Sequence, residues 1–133
     1  MENLIVGSAG WRSPYAGKKN ILTKHKIKEI VNFIEDKGYK SIDTAPSYGD
    51  SETIILDITK NLKISSKINA FSNQREFMHQ LEKVDTKKIN TLYFHDQNLI
   101  EKFDMKQINK FVEEILRRGL TPGLSIYDIE SLN

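Results

Sequence analysis

The chain has 133 residues, of which 20 are basic and 18 acidic for a formal charge of +2, and 38% are hydrophobic and 29% charged. That balance describes one soluble domain over residues 1–133, and lysines scattered over helix faces, with no basic stripe, argue against nucleic acid as a partner. Leu4, Ile5 and Val6 are too short a run for a signal peptide or a membrane span, and with no cysteine there is no disulfide frame, so a cytoplasmic protein is expected.

Residues 4–6 read as a strand stopped by Gly7, Ser8, Ala9 and Gly10. Ile27, Ile30, Val31 and Ile34 then recur at helical spacing, with Gly38 where a helix would end. Residues 41–44 form a second short run, and Ile54, Ile55, Ile58 and Leu62 follow as a helical stripe behind the candidate caps Asp50 and Ser51. Residues 63–67 predict a third strand. Asn73 with Glu76 three positions later has capping-box spacing ahead of Phe77, Leu81 and Val84. Residues 91–95 predict a fourth strand, before a helix that Asp104 caps, that turns Ile108, Phe111, Val112, Ile115 and Leu116 to one face, and that Gly119 ends. Residues 122–126 predict a fifth strand.

Strands alternating with helices at this spacing imply parallel pairing, because parallel neighbours need a crossover connection and a helix supplies it. A doubly wound sheet and a (β/α)8 barrel both fit that alternation. The polar residues favour the barrel: Asp43, Lys67, His95 and Ser125 fall at or near the C-terminal ends of successive predicted strands, where barrels build active sites. The glycines at positions 7 and 10 lack the full dinucleotide-loop spacing that a doubly wound sheet would favour. The expectation is therefore an α/β fold, a partial (β/α)8 TIM barrel of about five parallel strands and four helices.

An aspartate, a lysine, a tyrosine and a histidine meeting in one pocket would make a proton-donating group. In that arrangement Lys67 favours the tyrosinate of Tyr48, Asp43 holds the lysine charged and placed, and His95 offers a hydrogen bond to a carbonyl. A cation about 4 Å from the phenol is worth about 1 kcal/mol in water and roughly 4 kcal/mol at an effective dielectric of about 20, enough to lower a phenol pKa of about 10 by nearly three units. Such a site has to be shielded from water. His25 and His79 read as surface residues, and Tyr15, Tyr39, Tyr93 and Tyr127 as packing.

The stretch GYKSIDTAPSYGDSE resembles the aldo-keto reductase signature, and VGSAGW, ISSKIN, LYFHDQN and GLSIYDIESL resemble that family's first, third, fourth and fifth strands with their loops. The resemblance implies hydride transfer from NADPH, or NADH, to a small aldehyde or ketone. It makes Asp43, Tyr48, Lys67 and His95 the catalytic tetrad, with Tyr48 as proton donor, and brings Ser8, Ala9, Asp43 and Ser125 to the nicotinamide.

A complete barrel takes roughly 250 residues, so a 133-residue chain is expected to be a truncated form that lacks the later phosphate-binding loops, with weak or absent cofactor binding and doubtful activity alone. The alternative is a non-catalytic half-barrel module that self-associates through open sheet edges or pairs with a separate C-terminal half. A metal hydrolase using His95 and Asp96 is a third reading, disfavoured because no HxH pair or second cluster accompanies them.

Overall fold

A computed structural model describes residues 4–17 and 20–126; Tyr127 and the rest of the GLSIYDIESL stretch beyond Ile126 lie outside the described residues. The strands are β1 (Ile5–Gly7), β2 (Ser41–Asp43), β3 (Lys63–Ile68), β4 (Ile89–Phe94) and β5 (Thr121–Leu124). The helices are α1 (Lys24–Asp36), α2 (Ser51–Ile58), α3 (Gln74–Glu82), α4 (Gln97–Ile100) and α5 (Met105–Arg117). Strand order follows chain order, β1-β2-β3-β4-β5. The chain divides after Ser66 into two compact units.

In the first unit β1 pairs with β2 in parallel, Val6 opposite Ile42 and Gly7 opposite Asp43, and β2 pairs with β3, Ile42 opposite Ile64 and Asp43 opposite Ser65. The apolar stripes predicted for the helices become its core: Ile27, Val31 and Ile34 of α1 and Ile54 and Ile55 of α2 are buried with Ile42 and Ile64. The Thr23 hydroxyl caps α1 by accepting from the Lys26 N–H (3.1 Å). At the other end Gly38, at φ +77°, lets its own N–H reach the Glu35 carbonyl (2.9 Å) and the Tyr39 N–H reach that of Ile34 (3.1 Å), which satisfies two orphan carbonyls. The Glu35 carboxylate in turn accepts from the Thr59 hydroxyl and from the N–H groups of Lys60 and Asn61 (3.2, 2.9 and 3.0 Å), tying the end of α1 to the turn between α2 and β3.

In the second unit β4 pairs in parallel with β5, Thr91 opposite Thr121 and Phe94 opposite Leu124. Its core is aromatic. The Phe77 ring lies 5.3 Å from that of Phe71 and 4.6 Å from that of Phe111, and Phe103 stands edge-on to Phe111 at 5.1 Å. Asn73 caps α3 by accepting from the Glu76 N–H (3.0 Å), but Glu76 reaches back to the N–H of Ser72 (2.7 Å), one residue earlier than the expected capping box. The full reciprocal box forms at α5, between Asp104 and Gln107.

The predicted strands and four main helices are present, and a further short helix, α4, is added among the described residues: it is four residues long, too short to show a period, and depends on the Asp96 carboxylate accepting from the Asn98 N–H (2.9 Å). One expectation is corrected. Leu116 does not join the buried face of α5, being 54% exposed, because Phe111 and Ile115 alone fill the stripe that turns inward.

Candidate active site

Every predicted site residue within the described chain lies in β1, β2 or β3 or in the segment that follows a strand. Within the first unit, Asp43 is the last residue of β2, and the backbone around it is fixed on both sides. The Ser8 N–H donates to the Asp43 carbonyl (2.9 Å) and the Thr44 N–H donates to the Ser65 carbonyl (2.9 Å), so the parallel ladder continues one step past each strand. Ser8 and Thr44 are fully buried. Beyond them the chain turns: the Tyr48 N–H donates to the Ala45 carbonyl (3.0 Å), and the Tyr48 carbonyl accepts from the Ser51 N–H (3.3 Å) at the start of α2. Tyr48 therefore sits on a short turn pinned between a strand end and a helix start.

The phenol of Tyr48 is pushed above its ordinary pKa, first by burial, then by the carboxylate of Asp43, then by Tyr15. The direction is opposite to the lowering expected from a lysine alone. A phenol removed from water loses solvation of its anion, and a neighbouring carboxylate repels that anion, so both effects hold the proton on the oxygen. Asp43 and Tyr48 are thus electrostatically coupled.

Arg12, in the loop after β1, meets the turn that carries Tyr48 at Asp50. Its guanidinium forms a two-pronged pair with Asp50, Nε to Oδ1 at 2.5 Å and Nη2 to Oδ2 at 3.2 Å, and its Nη1 donates to the Leu22 carbonyl at 2.8 Å. The hydrogen bond from Arg12 holds the Asp50 carboxyl below its ordinary pKa. Asp50 makes no side-chain cap to α2, the role its position predicted, because Arg12 occupies both oxygens. Gly49 between Tyr48 and Asp50 has φ +66°, and a Cβ there would stand 2.5 Å from the Arg12 carbonyl oxygen, so only glycine permits this approach of two backbones. The Ser66 hydroxyl donates to the Glu52 carboxylate, linking α2 to β3 next to the strand position of Lys67. No signal in a single sequence announces the pairing of Arg12 with Asp50, since 38 residues separate them.

In the second unit Lys67 lies near the C-terminal end of β3 and is 6% exposed. His95 directly follows β4, its N–H donating to the Ile68 carbonyl (3.2 Å), and Ser125 directly follows β5, its N–H donating to the Phe94 carbonyl (3.0 Å). His95 and Ser125 are each placed by a ladder bond to a neighbouring strand. A small hollow beside His95 is lined by Ala70, Asp96, Asn98, Leu99 and Lys102. The Asp96 carboxylate is taken up by the backbone and side-chain N–H groups of Asn98, both at 2.9 Å. Among the described residues no three His, Asp or Glu side chains gather as metal ligands, and no helix is long and apolar enough to cross a membrane.

Parallel strands in chain order, each followed by a helix or a polar strand-end residue, define an α/β fold of the (β/α)8-barrel kind, represented by five strands. The fold is similar to two solved structures of Pseudomonas aeruginosa proteins assigned to the aldo-keto reductases. One is PA4992, with a TM-score of 0.69 and 21% identity over 95% of this chain and 56% of that one. The other has a TM-score of 0.68 and 20% identity over 95% of this chain and 55% of that one. The chain thus spans little more than half the length of the structures it resembles. The model of the aldo/keto reductase family matches residues 3–133, and the chain belongs to that family. No curated protein matches the chain.

Proposed function

We propose that the chain carries the proton-donating part of an NADP-dependent carbonyl reductase, with Tyr48 as the acid. The observation that carries this reading is the coupling of Asp43 to a partly buried Tyr48 within the IDTAPSYG stretch of a chain that belongs to the family. A phenol held protonated at neutral pH is a competent donor, because the alkoxide that develops on a reduced carbonyl is a far stronger base than a phenolate.

In this reading a bound nicotinamide supplies the hydride. Tyr48 gives its proton to the carbonyl oxygen, is left as a phenolate, and is reprotonated from solvent. Lys67 and His95 complete the group by motif position, the cation stabilising that phenolate and the imidazole hydrogen-bonding the carbonyl oxygen. Ser8, Ala9, Asp43 and Ser125 would hold the nicotinamide. Ser8 fits that role: its hydroxyl is fully buried with no hydrogen-bond partner among the described residues, and a buried polar atom in that state costs about 1–3 kcal/mol until a ligand group meets it. A small aldehyde or ketone is the substrate class, and the cytoplasm is the compartment this chemistry favours.

The test is a fluorescence titration of NADPH into the purified chain, followed by reduction of 4-nitrobenzaldehyde. Saturable binding with turnover that Tyr48→Phe abolishes supports the reading, whereas turnover that survives Tyr48→Phe overturns the assignment of the acid.

The exposed Leu4 and Ile5, 53% and 51% accessible, favour a second reading as an assembly module that buries this apolar strand against another chain. A concentration-dependent sedimentation coefficient supports it, and a monomer at all concentrations contradicts it.

A further inference from the structure

The loop between β1 and α1 meets the turn that carries Tyr48 through Arg12, and the contact there is of an unusual kind. Arg12 reaches across with its guanidinium to both oxygens of Asp50 while its own carbonyl oxygen sits against the Cα of Gly49, where an added Cβ would be at 2.5 Å. The third guanidinium nitrogen bonds the Leu22 carbonyl (2.8 Å), and the Leu22 N–H returns to the Trp11 carbonyl (2.7 Å), so Leu22 near the far end of the loop is tied to Arg12 and to the residue before it. Asp50 is two residues from Tyr48 and Gly49 is adjacent to it.

We propose that Arg12 is a positioning residue for Tyr48: by gripping Asp50 and abutting Gly49 it fixes the turn in which the phenol is held in its partly buried place beside Asp43. The proposal rests on the reading of Tyr48 as the proton donor. A bidentate guanidinium–carboxylate pair defines both distance and orientation, which a lysine at the same position would not. Tyr15 belongs to the loop that Arg12 ties down and acts electrostatically on the Tyr48 phenol, so loosening the loop would move a second group that tunes it. The effect of Arg12 on the phenol is geometric, exerted through burial and through the placement of Asp43 and Tyr15.

The test follows the titration of Tyr48 by NMR of the chain labelled with [13Cζ]tyrosine, the resonance being assigned with Tyr48→Phe. In Arg12→Met the Tyr48 midpoint is expected to shift down toward that of an exposed tyrosine as water reaches the ring, and Arg12→Lys is expected to restore part of the difference. Lys26→Met, which removes an exposed pair with Glu29 on α1, serves as the control and leaves Tyr48 unmoved. An Arg12→Met chain that folds and titrates Tyr48 as the parent does overturns the proposal. Should Arg12→Met fail to fold, Asp50→Asn removes the same ion pair with little change of shape, and an unshifted Tyr48 there overturns it equally. NADPH binding and turnover are read separately, so a failure of the reductase reading shows as lost binding or a Tyr48-independent rate, and a failure of the Arg12 proposal shows as an unmoved Tyr48.

Discussion

Burial raises the pKa of Tyr48, and the carboxylate of Asp43, which precedes it by five residues at the strand end, raises it further as a lock on its proton. Both groups belong to one unit, joined by the turn that the Tyr48 N–H closes on the Ala45 carbonyl. Any group that helps the phenol release its proton has to act against this lock.

The alkaline limb of stability should carry the signature of Tyr48. A phenol whose folded pKa lies above its unfolded value of about 10 contributes stability that is fully present below that pH and is lost as pH rises through the folded value. Denaturant melts of the parent chain should lose stability above about pH 10 more steeply than those of Tyr48→Phe. Parallel curves for the two proteins would contradict the shift.

Glu35 predicts the behaviour at the acid end. Burial pushes its carboxyl up, yet the N–H groups of Asn61 and Lys60 and the Thr59 hydroxyl outweigh that and hold it below the ordinary carboxylate value. Its contribution is present above the unfolded pKa and lost as pH falls through the lowered folded value. Glu35→Gln should lower the melting temperature at pH 7 and flatten the acid limb, and an unchanged acid limb would show that the carboxylate does not hold the turn.

Phe77 is fully buried at the centre of the aromatic cluster, within 5.3 Å of Phe71 and 4.6 Å of Phe111 between ring centres. Phe77→Ala should destabilise the chain by about 3–5 kcal/mol, read from denaturant midpoints, because the cavity left by a ring inside a packed cluster collapses only in part. A loss below about 1 kcal/mol would mean that the cluster is loosely packed.

Two glycines with similar backbone angles should respond differently. Gly119, at φ +77°, has nothing within 4 Å of an added Cβ, so Gly119→Ala costs only the left-handed conformation, about 1–2 kcal/mol. Gly49→Ala adds a clash with the Arg12 carbonyl, a backbone atom that cannot swing aside, and should cost more than Gly119→Ala in the same denaturant melts. Equal costs would place the Gly49 turn further from the Arg12 carbonyl than described.

Much of this was legible in the letters because it is local. The stripes Ile27, Val31, Ile34 and Phe77, Leu81 become buried helix faces as the 3.6-residue period requires, and Gly38 and Gly119 end helices because glycine accepts positive φ without penalty. Asp43, Lys67, His95 and Ser125 stand near or just past the strand ends, within a residue of where the apolar runs stop. One misreading comes from a pairing distant in sequence. Asp50 looks like a helix cap until Arg12, 38 residues away, takes it. Helix α4 escaped because four residues cannot display a period and only the Asp96 cap marks it.

The most direct test of the account is the titration midpoint of Tyr48, by the same ring-carbon NMR, in the parent chain and in Asp43→Asn. The account predicts a parent midpoint above that of a free tyrosine and a lower one once the carboxylate is neutralised. A parent Tyr48 that titrates like an exposed tyrosine, or one that Asp43→Asn leaves unmoved, would contradict it.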